Sequence, residues 1–129
     1  MGAEENNQFK DLFDLGLMGE NEFPFTRKIL KNPFIEGKKQ YDLSCVRSIG
    51  INEITTRKER IELLKQKFKP DIESMEGTAF HYVCLKEKIP FLQIRAISNY
   101  VGERNKKKWN IEQAIENLNK KIIEVSHLL

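Results

Sequence analysis

The sequence predicts a mixed α/β domain with a mostly parallel sheet, and three observations support this expectation. From residue 41 onward, short apolar runs alternate with helix-like segments in the order strand, helix, strand, helix, strand, helix. The helix-like segments place apolar residues at a helical period, whereas the runs between them are short. Such alternation is typical of parallel strands joined by helices. The 129 residues suffice for one domain with its own core.

The first forty residues are less regular than the rest of the chain. We expect residues 1–129 to form a single domain, with a loop-rich segment over residues 1–40 and the alternating elements over residues 41–129. Within the first segment, the helical spacing of three apolar side chains predicts a short helical turn over residues 8–15. These side chains are Phe9, Leu12 and Phe13.

Three strands and three helices are expected in the second segment. Apolar runs predict the strands, over residues 44–51, 71–75 and 90–98. Helical spacing predicts the helices, which span residues 56–68 and 76–87 and begin at residue 110. The third strand is an almost continuous apolar run, so we expect it to be buried on both faces. Thr56 and Glu59 have the spacing of a capping box at the start of the first helix.

Composition and charge exclude several classes of protein. Charged residues make up 32% of the chain, but the net charge is only +3, and no basic stripe interleaves with aromatic residues, so no nucleic-acid partner is expected. No apolar run reaches the about 18 residues that a membrane helix needs, and the N-terminus lacks a secretion-signal pattern. We therefore expect a cytoplasmic protein without membrane contact. Cys45 and Cys84 lie in apolar runs and are predicted to be reduced core thiols, not metal ligands.

Polar side chains follow two of the predicted strands directly. Glu76, preceded by Met75, follows the second strand, and Asn99 ends the third. Ligands of α/β proteins bind outside the carboxyl ends of strands. Structural roles explain these residues equally well at this point, because an acid is favoured at a helix N-terminus, methionine fills cores and asparagine favours turns.

Two motifs surround these residues, Ser74-Met-Glu-Gly77 and Ile94-Arg-Ala-Ile-Ser-Asn99. They resemble the C-terminal half of the nucleoside phosphorylase and nucleosidase superfamily. Methylthioadenosine/S-adenosylhomocysteine nucleosidases carry a similar Met-Glu-Ala-Ala, followed by Arg-Ala-Ile-Ser-Asp. The chain also resembles the futalosine hydrolases, which are nucleosidases of the alternative menaquinone pathway. The resemblance implies a three-layer α/β fold whose N-terminal strands are missing here. The motifs that carry it are Ser74-Met-Glu-Gly77, Ile94-Arg-Ala-Ile-Ser-Asn99, Gly2-Ala-Glu-Glu-Asn6, Phe13-Asp-Leu-Gly-Leu17 and Phe23-Pro-Phe-Thr26.

The resemblance implies a role for each candidate site residue. Glu76 matches the glutamate that binds the ribose hydroxyls and offsets the positive charge that develops on the sugar. Met75 matches the methionine that packs against the ribose. Asn99 stands where adenine-specific nucleosidases have the aspartate that assists the leaving base. Ile54 and Thr55 lie in the loop that matches the lining of the base pocket.

The asparagine at position 99 favours one class of leaving base. A 6-oxopurine presents two hydrogen-bond acceptors, N7 and O6, and an amide NH2 group supplies two donors without needing a proton. Adenine presents one acceptor and one donor, which a protonated carboxyl group suits better. Asn99 therefore favours hypoxanthine-type leaving groups.

The function implied is hydrolysis of the N-glycosidic bond of futalosine, with release of hypoxanthine and without metal or cofactor, by a homodimer. In the family, an N-terminal strand carries the glutamate that activates water, and no residue in positions 1–17 replaces it. We therefore expect little activity from this chain alone. The alternatives are an adenine nucleosidase, a nucleoside phosphorylase, and a non-catalytic module for nucleoside binding or association.

Overall fold

A computed structural model describes residues 2–5, 8–35 and 41–128. These residues form a mixed α/β fold, as the sequence predicts. Four short strands and three α-helices follow one another along them, with a short 3-10 helix before the last: β1 (Gly2–Glu5), β2 (Gln8–Asp11), β3 (Ser48–Gly50), α1 (Lys58–Phe68), β4 (Ile72–Ser74), α2 (Gly77–Lys86), the 3-10 helix (Lys106–Lys108) and α3 (Ile111–Ser126).

The strands form two separate pairs. β1 and β2 are antiparallel, with Gly2 opposite Asp11. β3 and β4 are parallel, with Ser48 opposite Ile72 and Gly50 opposite Ser74. The described residues thus contain one parallel and one antiparallel pair, and the mostly parallel sheet is not confirmed.

The predicted helical turn over residues 8–15 is wrong at its start, because β2 occupies Gln8–Asp11. Backbone pairing with β1 overrides the helical spacing of the apolar side chains, and local propensity yields to such pairing readily. Phe9 packs edge to face on Phe68 of α1, with ring centroids 5.9 Å apart. Asp11 is buried, and its Oδ1 accepts hydrogen bonds from the backbone N–H groups of Phe13 and Asp14 in the turn after β2.

Helix α1 begins without the predicted capping box. The N-cap residue is Arg57, and no side chain accepts a hydrogen bond from the first turn. The predicted end is confirmed: Lys69 has a left-handed conformation with φ of 48°, and its N–H donates to the Lys65 carbonyl oxygen at 2.9 Å. Pro70 follows, and a proline ring cannot continue a helix.

The strand over residues 71–75 and the helix over residues 76–87 are both found, each slightly shorter than predicted. α2 lies directly against the end of β3, where a methyl group on Gly50 would lie only 2.1 Å from Thr78 Oγ1. Glycine at the end of β3 is therefore what allows this close approach.

The predicted buried strand over residues 90–98 is wrong. This segment forms no strand among the described residues, and it lies half-exposed, with Ile97 60% accessible to solvent. An apolar run favours burial, but a strand also needs a neighbour with which to pair, and neither β3 nor β4 pairs with this segment. Instead, Phe91 packs at its start against three rings, those of Phe34, Phe80 and His81.

The last helix is confirmed. α3 begins after Asn110, whose side chain makes no cap hydrogen bond. Its buried residues are Ala114 and Val125. Three other apolar side chains of α3 remain about half exposed: Ile111, Ile115 and Ile122.

The two cysteines differ in burial. Cys84 is buried in α2, as predicted, but Cys45 is exposed, so its predicted place in the core is wrong. The reason is that β3 begins only at Ser48, which leaves residues 44–47 outside the sheet. No helix in the described part of the chain has the length and hydrophobicity needed to cross a membrane.

Candidate functional site

The parallel strands β3 and β4 end at the same edge of their sheet. The N–H of Ile51 donates to the Ser74 carbonyl oxygen at 2.9 Å, directly after the last strand pair. The loop over residues 52–56 follows β3 at this edge, and Met75 and Glu76 follow β4. The sheet edge is the position at which α/β proteins bind ligands.

The loop after β3 has one buried and one exposed candidate residue. Thr55 is 1% exposed, whereas Ile54 is 60% exposed. Burial raises the pKa of the neighbouring Glu73 carboxyl group on β4, and the nearby Thr55 and the charge of Arg60 offset part of this rise. Thr55 is therefore packed inside the molecule without a hydrogen-bond partner for its Oγ1 among the described residues, and Ile54 presents an apolar side chain to solvent.

The turn between β4 and α2 presents an unpaired carboxylate. Ser74 Oγ accepts a hydrogen bond from the Gly77 N–H at 3.0 Å, which fixes the first turn of α2. Glu76 is the N-cap residue of α2, and its exposed carboxylate makes no hydrogen bond or ion pair with any described residue. The positive end of the helix dipole favours a negative charge at this position. Met75, beside it, is 48% exposed.

Glu76 lies at a cleft of about 510 Å³ between the first turn of α2, residues 92–95 and the last turns of α3. This volume is within the range of small-molecule sites. The polar side chains of the cleft include those of Glu76, Gln93 and Arg95, and its apolar walls include those of Phe80, Leu92 and Ile122. The cleft therefore combines a carboxylate and a guanidinium with apolar surface, as a polar ligand with a planar apolar part requires.

Gln93 connects the two halves of this cleft, and the sequence analysis missed it. Its Nε2 donates to the Gly77 carbonyl oxygen at 2.8 Å, and its Oε1 accepts from Arg95 Nη2 at 3.1 Å. A methyl group on Gly77 would lie 2.4 Å from Ser74 Oγ and 2.5 Å from Arg95 Nη2, so a larger residue there would displace these side chains. The available signal was an amide inside an apolar run, since a polar group in such a run needs a partner.

Asn99 lies in a turn outside this cleft. Its Nδ2 donates to the Tyr100 carbonyl oxygen at 3.1 Å, and its Oδ1 accepts from Ser98 Oγ at 2.7 Å. Neither Asn99 nor the loop residues Ile54 and Thr55 line the cleft beside Glu76. Met75 also does not line it, so Glu76 alone of the predicted site residues borders the cleft.

A second cleft, of about 590 Å³, lies between the β1–β2 hairpin and the start of α1. Its charges are paired with one another. Arg57 Nη2 lies 2.6 Å from Glu4 Oε2, and Arg60 Nη1 lies 3.0 Å from Glu53 Oε2. These pairs join the hairpin and the loop after β3 to α1. Nowhere in the described ranges do three or more His, Cys, Asp or Glu side chains gather as metal ligands would.

Comparison with known proteins shows the family. Residues 25–129 match the model of the Phosphorylase superfamily. The chain belongs to this superfamily. The matched region of this phosphorylase-superfamily chain contains every residue that lines the cleft beside Glu76. The predicted resemblance to the nucleoside phosphorylase and nucleosidase superfamily is thereby confirmed.

One curated relative is a futalosine hydrolase from Thermus thermophilus. It is 27% identical to this chain over 100 residues, which cover 76% of this chain and 42% of the relative. The chain therefore spans less than half the length of that relative. No solved structure gives a significant match.

Proposed function

We propose that the protein is a purine nucleosidase of the futalosine hydrolase type, which cleaves the N-glycosidic bond of futalosine and releases hypoxanthine. Membership of the Phosphorylase superfamily and the similarity to a futalosine hydrolase support this proposal. The observation that carries it is the unpaired Glu76 carboxylate, which stands at the rim of a ligand-sized cleft directly after a parallel strand.

Glu76 suits the sugar part of such a substrate. Cleavage of an N-glycosidic bond builds positive charge on the ribose ring, and a fixed carboxylate stabilises that charge. The two carboxylate oxygens accept hydrogen bonds from the two ribose hydroxyls. Met75 is half-exposed beside Glu76 and offers an apolar surface to the same ring. Both roles follow the family motif at these positions.

Asn99 suits the purine part of the substrate. Its NH2 group has two hydrogens, and the Tyr100 carbonyl oxygen takes one of them, so one donor remains for N7 or O6 of a 6-oxopurine. Ile54, exposed in the loop after β3, supplies an apolar contact for the base, and the buried Thr55 holds that loop in place. In this proposal Asn99 and Glu76 are the catalytic residues, as the family motif implies, and the substrate has to reach from the cleft beside Glu76 to the turn that holds Asn99.

The first experiment measures binding and bond cleavage separately. Binding of futalosine and hypoxanthine is measured by calorimetry, and release of hypoxanthine is followed by chromatography. The Glu76→Gln variant removes the charge, and Glu87→Gln, at the other end of α2, is the matched control. We expect slow release of hypoxanthine by this chain. Glu76→Gln should lower that rate about 100-fold, which is the usual effect of losing one charge-stabilising group, and Glu87→Gln should leave it unchanged.

Other outcomes identify the alternatives. Release that requires inorganic phosphate indicates a phosphorylase, and release of adenine from methylthioadenosine indicates an adenine nucleosidase. Binding without cleavage indicates a nucleoside-binding module. If neither ligand binds, or if both variants behave alike, the proposal is wrong.

A further inference from the structure

We propose that Gln93 is a positioning residue of the cleft beside Glu76: it holds the Arg95 guanidinium against the first turn of α2 and thereby sets the affinity of the cleft for a nucleoside. The nature of the ligand rests on the proposed function. The geometry rests on two hydrogen bonds of one side chain.

The Gln93 amide bridges two elements of the cleft. Nε2 donates to the Gly77 carbonyl oxygen at 2.8 Å, and Oε1 accepts from Arg95 Nη2 at 3.1 Å. Because the donor and the acceptor belong to one planar amide, both bonds form only when Arg95 and the first turn of α2 keep a fixed separation. The side chain therefore acts as a spacer of set length between residues 92–95 and α2.

Electrostatics explain why Arg95 needs this support. The guanidinium lies against the first residue of α2, since a methyl group on Gly77 would lie 2.5 Å from Arg95 Nη2. The N-terminus of a helix carries a partial positive charge, which repels a cation. Gln93 Oε1 is the acceptor that holds Arg95 there, and no other described residue accepts a hydrogen bond from its side chain.

The arrangement leaves hydrogen-bonding capacity for a ligand. A guanidinium has five N–H groups, and Arg95 uses one of them on Gln93. The remaining donors and the unpaired Glu76 carboxylate border the same cleft, so hydroxyl groups of a nucleoside find both donors and acceptors there. Loss of Gln93 would free Arg95 to leave this position.

The test uses three variants of the full chain. Gln93→Leu keeps the volume and removes both hydrogen bonds. Gln93→Glu keeps the acceptor for Arg95 and, while ionised, loses the donor to the Gly77 carbonyl oxygen. Gln113→Leu is the matched control, because Gln113 is exposed on α3 and bonds only within that helix. Inosine is the probe ligand in calorimetry, and the Nε–H signal of Arg95 in nitrogen-15 relaxation measurements reports how well the guanidinium is held.

We expect Gln93→Leu to weaken inosine binding about tenfold, as loss of one or two hydrogen bonds predicts, and to make the Arg95 signal mobile. Gln113→Leu should match the wild type in both measurements. Gln93→Glu should keep Arg95 held. Its inosine affinity, relative to that of the wild type at the same pH, should recover as pH falls to about 4.3, because the protonated acid regains a donor. The comparison at equal pH accounts for the Glu76 carboxylate, which lines the same cleft. A purely structural role for Gln93 would give no such recovery.

Each contrary result has a definite meaning. If the wild type binds inosine and Gln93→Leu binds it equally well, the inference is overturned and the proposed function stands. If Gln93→Leu binds more weakly while Arg95 stays as rigid as in the wild type, the effect is one of packing and the inference is again overturned. Failure of the wild type itself to bind inosine overturns this inference, whereas the proposed function is decided by the binding of futalosine and hypoxanthine. Should Gln93→Leu not fold, the pH profile of Gln93→Glu decides the question.

Discussion

Gly50 and Thr78 approach each other so closely that no side chain fits between them. A methyl group added to Gly50 would lie 2.1 Å from Thr78 Oγ1 and 2.6 Å from its Cβ, and both of these atoms belong to the first turn of α2. The contact joins the end of a strand to the start of the helix that follows the next strand. It therefore fixes the distance between β3 and the turn that carries Glu76.

The first prediction concerns this contact. Gly50→Ala should lower the free energy of unfolding by about 1–3 kcal/mol, the usual cost of forcing extra volume into a packed site. Thermal or urea unfolding measures the change. Gly19→Ala is the control, because the new methyl group there would lie no closer than 3.4 Å to any atom beyond the adjacent residues. Equal effects of the two substitutions would show that the contact is not tight.

The second prediction concerns Asp14 in the turn after β2. A hydrogen bond from Lys67, followed by those from the Asp11 N–H and Lys28, holds the pKa of Asp14 well below its ordinary value of 3.8. The charged form is thus favoured in the folded state, so Asp14 adds stability above pH 3.8 and loses this contribution as pH falls below it. Asp14→Asn should therefore lower the melting temperature at pH 7 and have less effect near pH 2.

The control for Asp14 is an ion pair on the surface of α1. Lys65 Nζ lies 3.2 Å from Glu62 Oε1, and each side chain is 59% exposed. Glu62→Gln should change stability by at most about 0.5 kcal/mol. If Asp14→Asn costs no more than Glu62→Gln at pH 7, the lysine contacts of Asp14 contribute nothing to stability.

The third prediction concerns Glu73 beneath the loop after β3. Burial raises the pKa of its carboxyl group above the ordinary value of 4.5, so the charged form is disfavoured in the folded state. Stability therefore falls as pH rises through 4.5 toward the raised pKa. Glu73→Gln should raise the melting temperature at pH 7 and leave it nearly unchanged at pH 4. A loss of stability at pH 7 would mean that the contacts with Thr55 and Arg60 outweigh burial.

The fourth prediction concerns base preference. Asn99→Asp should shift preference from 6-oxopurine toward adenine nucleosides, because a protonated carboxyl group donates one hydrogen bond and accepts another. The shift should be about tenfold or more in the ratio of kcat/KM values for inosine and adenosine. An unchanged ratio would show that Asn99 does not take part in base recognition.

Elements whose signals are local could be predicted from the sequence. The end of α1 follows from Lys69 and Pro70. Helix α3 follows from the period of its apolar residues, since a stripe of this kind needs no distant partner to be recognised. The turn at Glu76 follows from a short strand and a helix in direct succession.

Features that depend on pairing could not be predicted in this way. Residues 90–98 are apolar enough for a central strand, but whether a strand forms depends on a neighbour that the run itself does not specify. β2 took the place of a helical turn because β1 pairs with it. Gln93 was not predicted because the carbonyl oxygen that accepts its hydrogen bond, that of Gly77, lies 16 positions earlier in the chain, and no spacing rule connects the two residues.

The parallel pairing of β3 with β4 has a consequence for how the chain folds. Arg47 and Asp71, which flank this pair and are joined by a 2.7 Å hydrogen bond, are 24 positions apart, and all of α1 lies between them. Contacts of such sequence separation form late, because the intervening loop must close before any hydrogen bond compensates for the lost entropy. Formation of α1 shortens that loop. The edge at which Glu76 stands should therefore be among the last parts of the molecule to assemble.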